Sequence, residues 1–209
     1  MKVETFLARL FSVVFHPLFV PTLGMMLLFR MDTYIHFAVP GQAKRFIMVI
    51  IFINTALAPA LAILLLKRTG LIRDLLLDDR SERLFPLLVS SLLFFLTYYL
   101  LRQVSLPSLI YYYMMGATLT VITSLLITFR WKISIHMMSM GGYTGFLIAT
   151  ALFLKLDISW LIALLFLVSG VVGASRLRLQ AHTPLQVYAG YLCGIAVMLG
   201  LFFLLRSIN

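Results

Sequence analysis

The sequence predicts an all-α fold, a polytopic membrane helical bundle with six or seven transmembrane helices. Three observations carry that prediction. Hydrophobic residues make up 62% and charged residues 11% of the 209, against about 45–50% and about 25% in a soluble domain. Mean hydropathy is +1.05. Charges and Pro/Gly breaks also cut the chain into apolar runs of about 17–25 residues, long enough to cross a bilayer. In hydrocarbon a single segment satisfies its own backbone polar groups only as a helix, so each run is read as one.

The first run, residues 6–29, follows Lys2 and Arg9. Its apolar stretch is too long for a signal peptide, and no small-x-small cleavage site follows. It is therefore read as a span, kinked or re-entrant because it carries His16, Pro17 and Pro21. His16 itself is read as satisfying the kink or lying at the interface.

The second run, 45–66, contains Asn54, expected to hydrogen-bond a neighbouring helix. A polar connection over Lys67–Arg83 follows. The spacing of Leu71, Ile72, Leu75, Leu76 and Leu77 in it suggests a short amphipathic helix on the membrane surface. Runs 84–102 and 109–129 are joined by a short loop flanked by Tyr98, Tyr99 and Tyr111 to Tyr113, a pattern that fits an aromatic belt.

Runs 136–155, 158–175 and 185–206 complete the bundle. The first and last of these carry Gly141/Gly145 and Gly190/Gly194, spacings that let two backbones approach closely in lipid. Each pair lies just past a histidine, His136 and His182, so mutual packing would bring the two histidines together. The alternative is packing against any other neighbour. Cys193 is the one cysteine and is read as a helix-packing residue. The whole of 1–209 is one integral membrane domain, with no length for a second.

The loops alternate sides. The three at Lys67–Arg83, Arg130–Ile135 and Arg176–His182 fall on one face with the N-terminus. That face holds eleven Lys and Arg (Lys2, Arg9, Lys67, Arg68, Arg73, Arg80, Arg83, Arg130, Lys132, Arg176, Arg178) and the other six (Arg30, Lys44, Arg45, Arg102, Lys155, Arg206). Setting aside the six that flank the motifs leaves five against six, so charge alone gives no orientation. The net charge of +10 sits in loops between apolar runs. Most of it is read as ordinary topology-setting and interfacial charge, and as a partner it points to anionic lipid headgroups and not to nucleic acid.

Three clusters on this face carry chemistry. In the last, Ser175 and Arg176 close one run, and His182 precedes Thr183-Pro184, an N-cap followed by Pro at the first helical position. Arginine offers a planar fork of donors for phosphate oxygens, and histidine serves as nucleophile or proton carrier. In the middle cluster Ser134 and His136 open a run, as a site pair or as a capping serine with an interfacial histidine. The early cluster has Arg80 and Arg83 three residues apart. They are placed to clamp a phosphate or to pair with Asp78, Asp79 and Glu82. His36 lies on the opposite face.

Together the clusters resemble the type 2 phosphatidic acid phosphatase superfamily, whose fold includes haloperoxidases. Its third signature, Ser-Arg, five residues, His, three residues, Asp, is matched by Ser175-Arg176, His182 and Gln186. The second, Pro-Ser-Gly-His, aligns with Ile133-Ser134-Ile135-His136, and the first is loosely represented by Arg80, Arg83 and Pro86. The resemblance covers roughly residues 80–195, within a phosphatase-like core at about 45–206.

It implies a lipid-phosphate or prenyl-diphosphate phosphatase. His182 would form a phosphohistidine, and His136 would protonate the leaving oxygen. Arg176, Arg80, Arg83, Ser134 and Ser175 would hold the phosphate, with no metal and no cofactor. The expected location is the bacterial inner (cytoplasmic) membrane. Gln186 stands where the family has the Asp that orients and charges the nucleophile. This motivates an alternative: a catalytically degenerate relative that binds anionic lipid or serves as a membrane-complex subunit. A lipid-phosphate transporter with helices broken at His16–Pro21 is a third option.

Overall fold

The computed structural model describes residues 2–74 and 79–208, with side chains as far as 205. No strand occurs among them. The chain begins with α1 (Lys2–Val14), α2 (Val20–Arg30) and the short α3 (Tyr34–Ala38). Next, α4 (Gly41–Phe52) continues through a π-turn (Ile53–Leu57) into α5 (Ala58–Arg68). A 3₁₀ turn (Ser81–Arg83) opens α6 (Leu84–Arg102), followed by α7 (Ser108–Thr128), α8 (Ile135–Leu154), α9 (Ser159–Arg178) and α10 (Pro184–Ile208). The continuous helix α4–α5 and each of α6 to α10 are long and apolar enough to span, six such helices among the described residues, which makes the chain an integral membrane protein.

The first apolar run is not a single span. With 13 residues α1 rises about 20 Å, short of the roughly 30 Å of a hydrocarbon core, and α2 is shorter still. The break between them has a local cause. Pro17 has no N–H to donate, and the His16 ring turns back so that its Nδ1 accepts the Leu18 N–H at 3.3 Å. Thr55 Oγ1 donates to the Leu18 carbonyl at 3.3 Å, tying the break to the π-turn. Asn54, expected to make that kind of link, makes no side-chain hydrogen bond among the described residues. The π-turn directs Thr55 inward instead. The expected surface helix of the polar connection falls largely on residues 75–78, outside the described residues.

The centre of the bundle is α8 against α10. A Cβ on Gly141 would lie 2.0 Å from the Tyr191 carbonyl oxygen, and one on Gly194 would lie 2.2 Å from that of Met138. The two glycine pairs therefore face each other, and backbone meets backbone along the seam. In lipid such contact gains dispersion energy that bulkier side chains would prevent. Tyr113 is fully buried, not part of an aromatic belt. It packs on Phe146 with ring centroids 4.3 Å apart and donates to the Val20 carbonyl at 3.1 Å, which anchors α2. Along α7, Thr118, Thr120, Ser124 and Thr128 each donate to a carbonyl four residues back, so their hydroxyls are satisfied without a partner helix. Leu92, Phe95, Leu167 and Leu192 stand exposed on the outer faces, as a lipid-facing surface requires.

Candidate active site

The three polar loops are stitched together at one end of the bundle. Arg80 Nη1 donates to the Arg130 carbonyl, and Arg83 Nη1 reaches that of Ile133 at 3.5 Å. Ser134 N–H donates to the Gln186 carbonyl at 3.3 Å, joining the start of α8 to the first turn of α10. The glycine seam sets that proximity, because Gly190 lies against the Ser134 carbonyl.

Below these links is a cavity of about 140 Å³ lined by His136, His182, Arg176 and Arg83, with His16 and Pro17 from the α1–α2 break. Four of the sequence-predicted site residues thus share one space. Among the described lining residues there are three histidines, two arginines and no carboxylate, a set that favours an anion. Glu82 pairs with Arg73, Glu4 with Arg178, and Asp74 with Lys67. No group of three or more His, Cys, Asp or Glu side chains among the described residues is arranged to hold a metal ion.

Gln186 orients His182. The Thr183 N–H points at the Gln186 side chain at 3.2 Å, so the atom it meets is the amide oxygen, Oε1. That oxygen also lies 3.0 Å from His182 Nδ1 and, as an acceptor only, requires a proton there. The neutral ring then leaves the Nε2 lone pair free. The Gln186 N–H faces Thr183 Oγ1 at 3.4 Å, completing a reciprocal capping box at the start of α10. Burial pulls the His182 pKa down to about 4. The hydrogen bond to Gln186 opposes that shift, and the charges of Arg83, Arg176 and Lys132 add to it. At neutral pH the ring is uncharged.

The same logic applies to His136. Its Nε2 lies 3.0 Å from the Ser12 carbonyl oxygen, which can only accept, so Nε2 carries the proton and Nδ1 does not. No local pattern in the sequence marks α1 as the source of this partner. His16 was also missed as a site residue, although the break it caps was expected. Its ring stands edge-on to that of His136, with centroids 5.1 Å apart.

Three expected residues are not brought to the cavity. Arg80 is exposed and committed to the Arg130 carbonyl. It precedes the 3₁₀ turn, so it does not share a helical face with Arg83. Ser175 Oγ donates to the Val171 carbonyl of its own helix at 2.8 Å. Ser134 is fully buried beside the cavity without lining it. Its hydroxyl caps no helix and has no hydrogen-bond partner among the described residues.

An apolar chamber of about 60 Å³ adjoins the cavity and shares Pro17, Leu18, Leu87, Ser90 and Ile135 with it. It extends between α2, α6, α7 and α8 to Phe94, Tyr113 and Met198. No family model, curated protein or solved structure matches this chain.

Proposed function

We propose that the protein is a lipid-phosphate or prenyl-diphosphate phosphatase of the phosphatidic acid phosphatase type, acting at the bacterial inner membrane through a phosphohistidine. The observation that carries this reading is the shared cavity. A neutral His182, held by Gln186 with Nε2 unprotonated, lines it together with His136 and two guanidinium groups. Nε2 attacks phosphorus and the P–N bond forms as the P–O bond to the leaving group breaks, its electron pair staying on that oxygen. Arg83 and Arg176 hold the oxygens on which charge develops. Water then attacks phosphorus, phosphate leaves, and the P–N electron pair returns to Nε2. The apolar character of the adjoining chamber supports a lipid substrate.

The His136 tautomer bears on the leaving group. With Nε2–H given to Ser12 and Nδ1 unprotonated, the ring accepts a proton from the attacking water more readily than it donates one. A diphosphate leaves as a phosphate monoester anion and needs no proton, whereas phosphatidic acid leaves as an alkoxide. The expected order is undecaprenyl diphosphate over phosphatidic acid, measured as phosphate release by the purified protein in detergent. No release above a His182→Ala control from either substrate rejects the reading for both.

Gln186 supports the second reading, a degenerate relative that binds anionic lipid, because an amide orients an imidazole without stabilising its cation. Activity appearing only in Gln186→Asp would favour it, and wild-type turnover would exclude it.

A further inference from the structure

We propose that His16 is a third phosphate-contacting histidine, and that its Nε2–H donates to a phosphate oxygen in the cavity shared by His136 and His182. The inference rests on the reading of that cavity as a phosphate site, and it adds a residue outside the three clusters. The Leu18 N–H is a donor, so His16 Nδ1, 3.3 Å from it, must accept. A neutral ring with Nδ1 occupied in this way carries its proton on Nε2. The ring lines the cavity. Among the described residues nothing accepts a hydrogen bond from Nε2. The donor is therefore fixed in tautomer, on a ring whose centroid lies 5.1 Å from that of His136.

The break that presents His16 is held from two sides. Thr55 Oγ1 donates to the Leu18 carbonyl at 3.3 Å, and His136 Nε2 donates to that of Ser12 at 3.0 Å. One side holds the chain just after His16, the other the turn before it. A segment fixed in this way gives its donor a defined position, as a preorganised anion site requires. The phosphate would thus meet the Arg83 and Arg176 guanidinium groups and His182 together with His16 from the N-terminal segment, all lining one cavity.

His16 has two polar atoms with separable tasks, and two substitutions separate them. His16→Asn places Oδ1 where Nδ1 accepts from Leu18 and removes the donor at the ε position. His16→Gln keeps a donor near the ε position and gives up the cap. The full chain in detergent is titrated with inorganic phosphate by calorimetry, and its thermal midpoint is recorded. His16→Asn is expected to bind phosphate about tenfold more weakly, the scale of one lost hydrogen bond to a charged group, with its midpoint unchanged. His16→Gln is expected to stay within about threefold of wild type in affinity but to melt earlier. Wild-type affinity in His16→Asn, or the same loss in both variants, overturns the role of His16. Absence of phosphate binding by the wild type itself overturns the phosphate-site reading and this inference together.

Discussion

One oxygen of Gln186 serves both a helix cap and the ring of the proposed nucleophile, His182. Oε1 accepts the Thr183 N–H that opens α10 and the Nδ1–H of His182. Gln186→Ala should therefore cost about 1 kcal/mol of stability through the lost cap and also release the ring, lowering turnover with little change in KM. Gln186→Asp puts a negative charge beside His182, which stabilises the imidazolium form of the phosphorylated ring, so on the proposed mechanism turnover should rise. The roughly 10⁴-fold cost of the analogous amide substitution in a serine protease triad bounds the gain. The pH profile follows from the same geometry. The reactive form of His182 is the neutral one and its pKa is pulled down to about 4. Wild-type kcat/KM should thus be insensitive to this ring at neutral pH and fall only as pH drops through about 4. In Gln186→Asp the carboxylate favours the imidazolium, so this acid limb should move to higher pH; an unchanged limb would show that His182 is not the titrating nucleophile.

At the level of elements, the seam between α8 and α10 decides whether the two histidines meet. Gly141→Val forces side-chain atoms into the Tyr191 carbonyl, and the helices must separate. The expected cost is about 1–3 kcal/mol of overpacking, with loss of activity, while Gly170→Ala, which meets nothing within 4 Å, should be neutral. Thermal unfolding in detergent alongside phosphate release checks both. This seam was legible in the sequence because a four-residue glycine spacing beside a histidine has one simple packing consequence. The α1–α2 break was only half legible. Pro17 announced a kink, but the pairing of Ser12 with His136 joins residues 124 positions apart, which no local pattern encodes. Arg80 and Arg83 look equivalent in sequence. The turn that opens α6 buries one against the cavity and leaves the other at the surface.

For the whole molecule, six spans were readable from apolar runs because bilayer thickness fixes their length. The joining of three loops over one cavity was readable only from their shared side. The adjoining chamber was not readable at all, since its lining is drawn from α2, α6, α7, α8 and α10. If an alkyl chain occupies it, a filling substitution such as Ala117→Phe should raise KM for a lipid substrate and leave hydrolysis of a short water-soluble phosphate ester nearly unchanged. On the proposed mechanism His182 becomes covalently phosphorylated in the cavity it shares with His136, Arg83 and Arg176. The most direct measurement is rapid alkaline quenching during turnover of undecaprenyl diphosphate labelled in its terminal phosphate, followed by peptide mapping. An acid-labile, base-stable label on the peptide containing His182, absent in His182→Ala, is the predicted result. Turnover with no label on His182, or with the same label in His182→Ala, would contradict it.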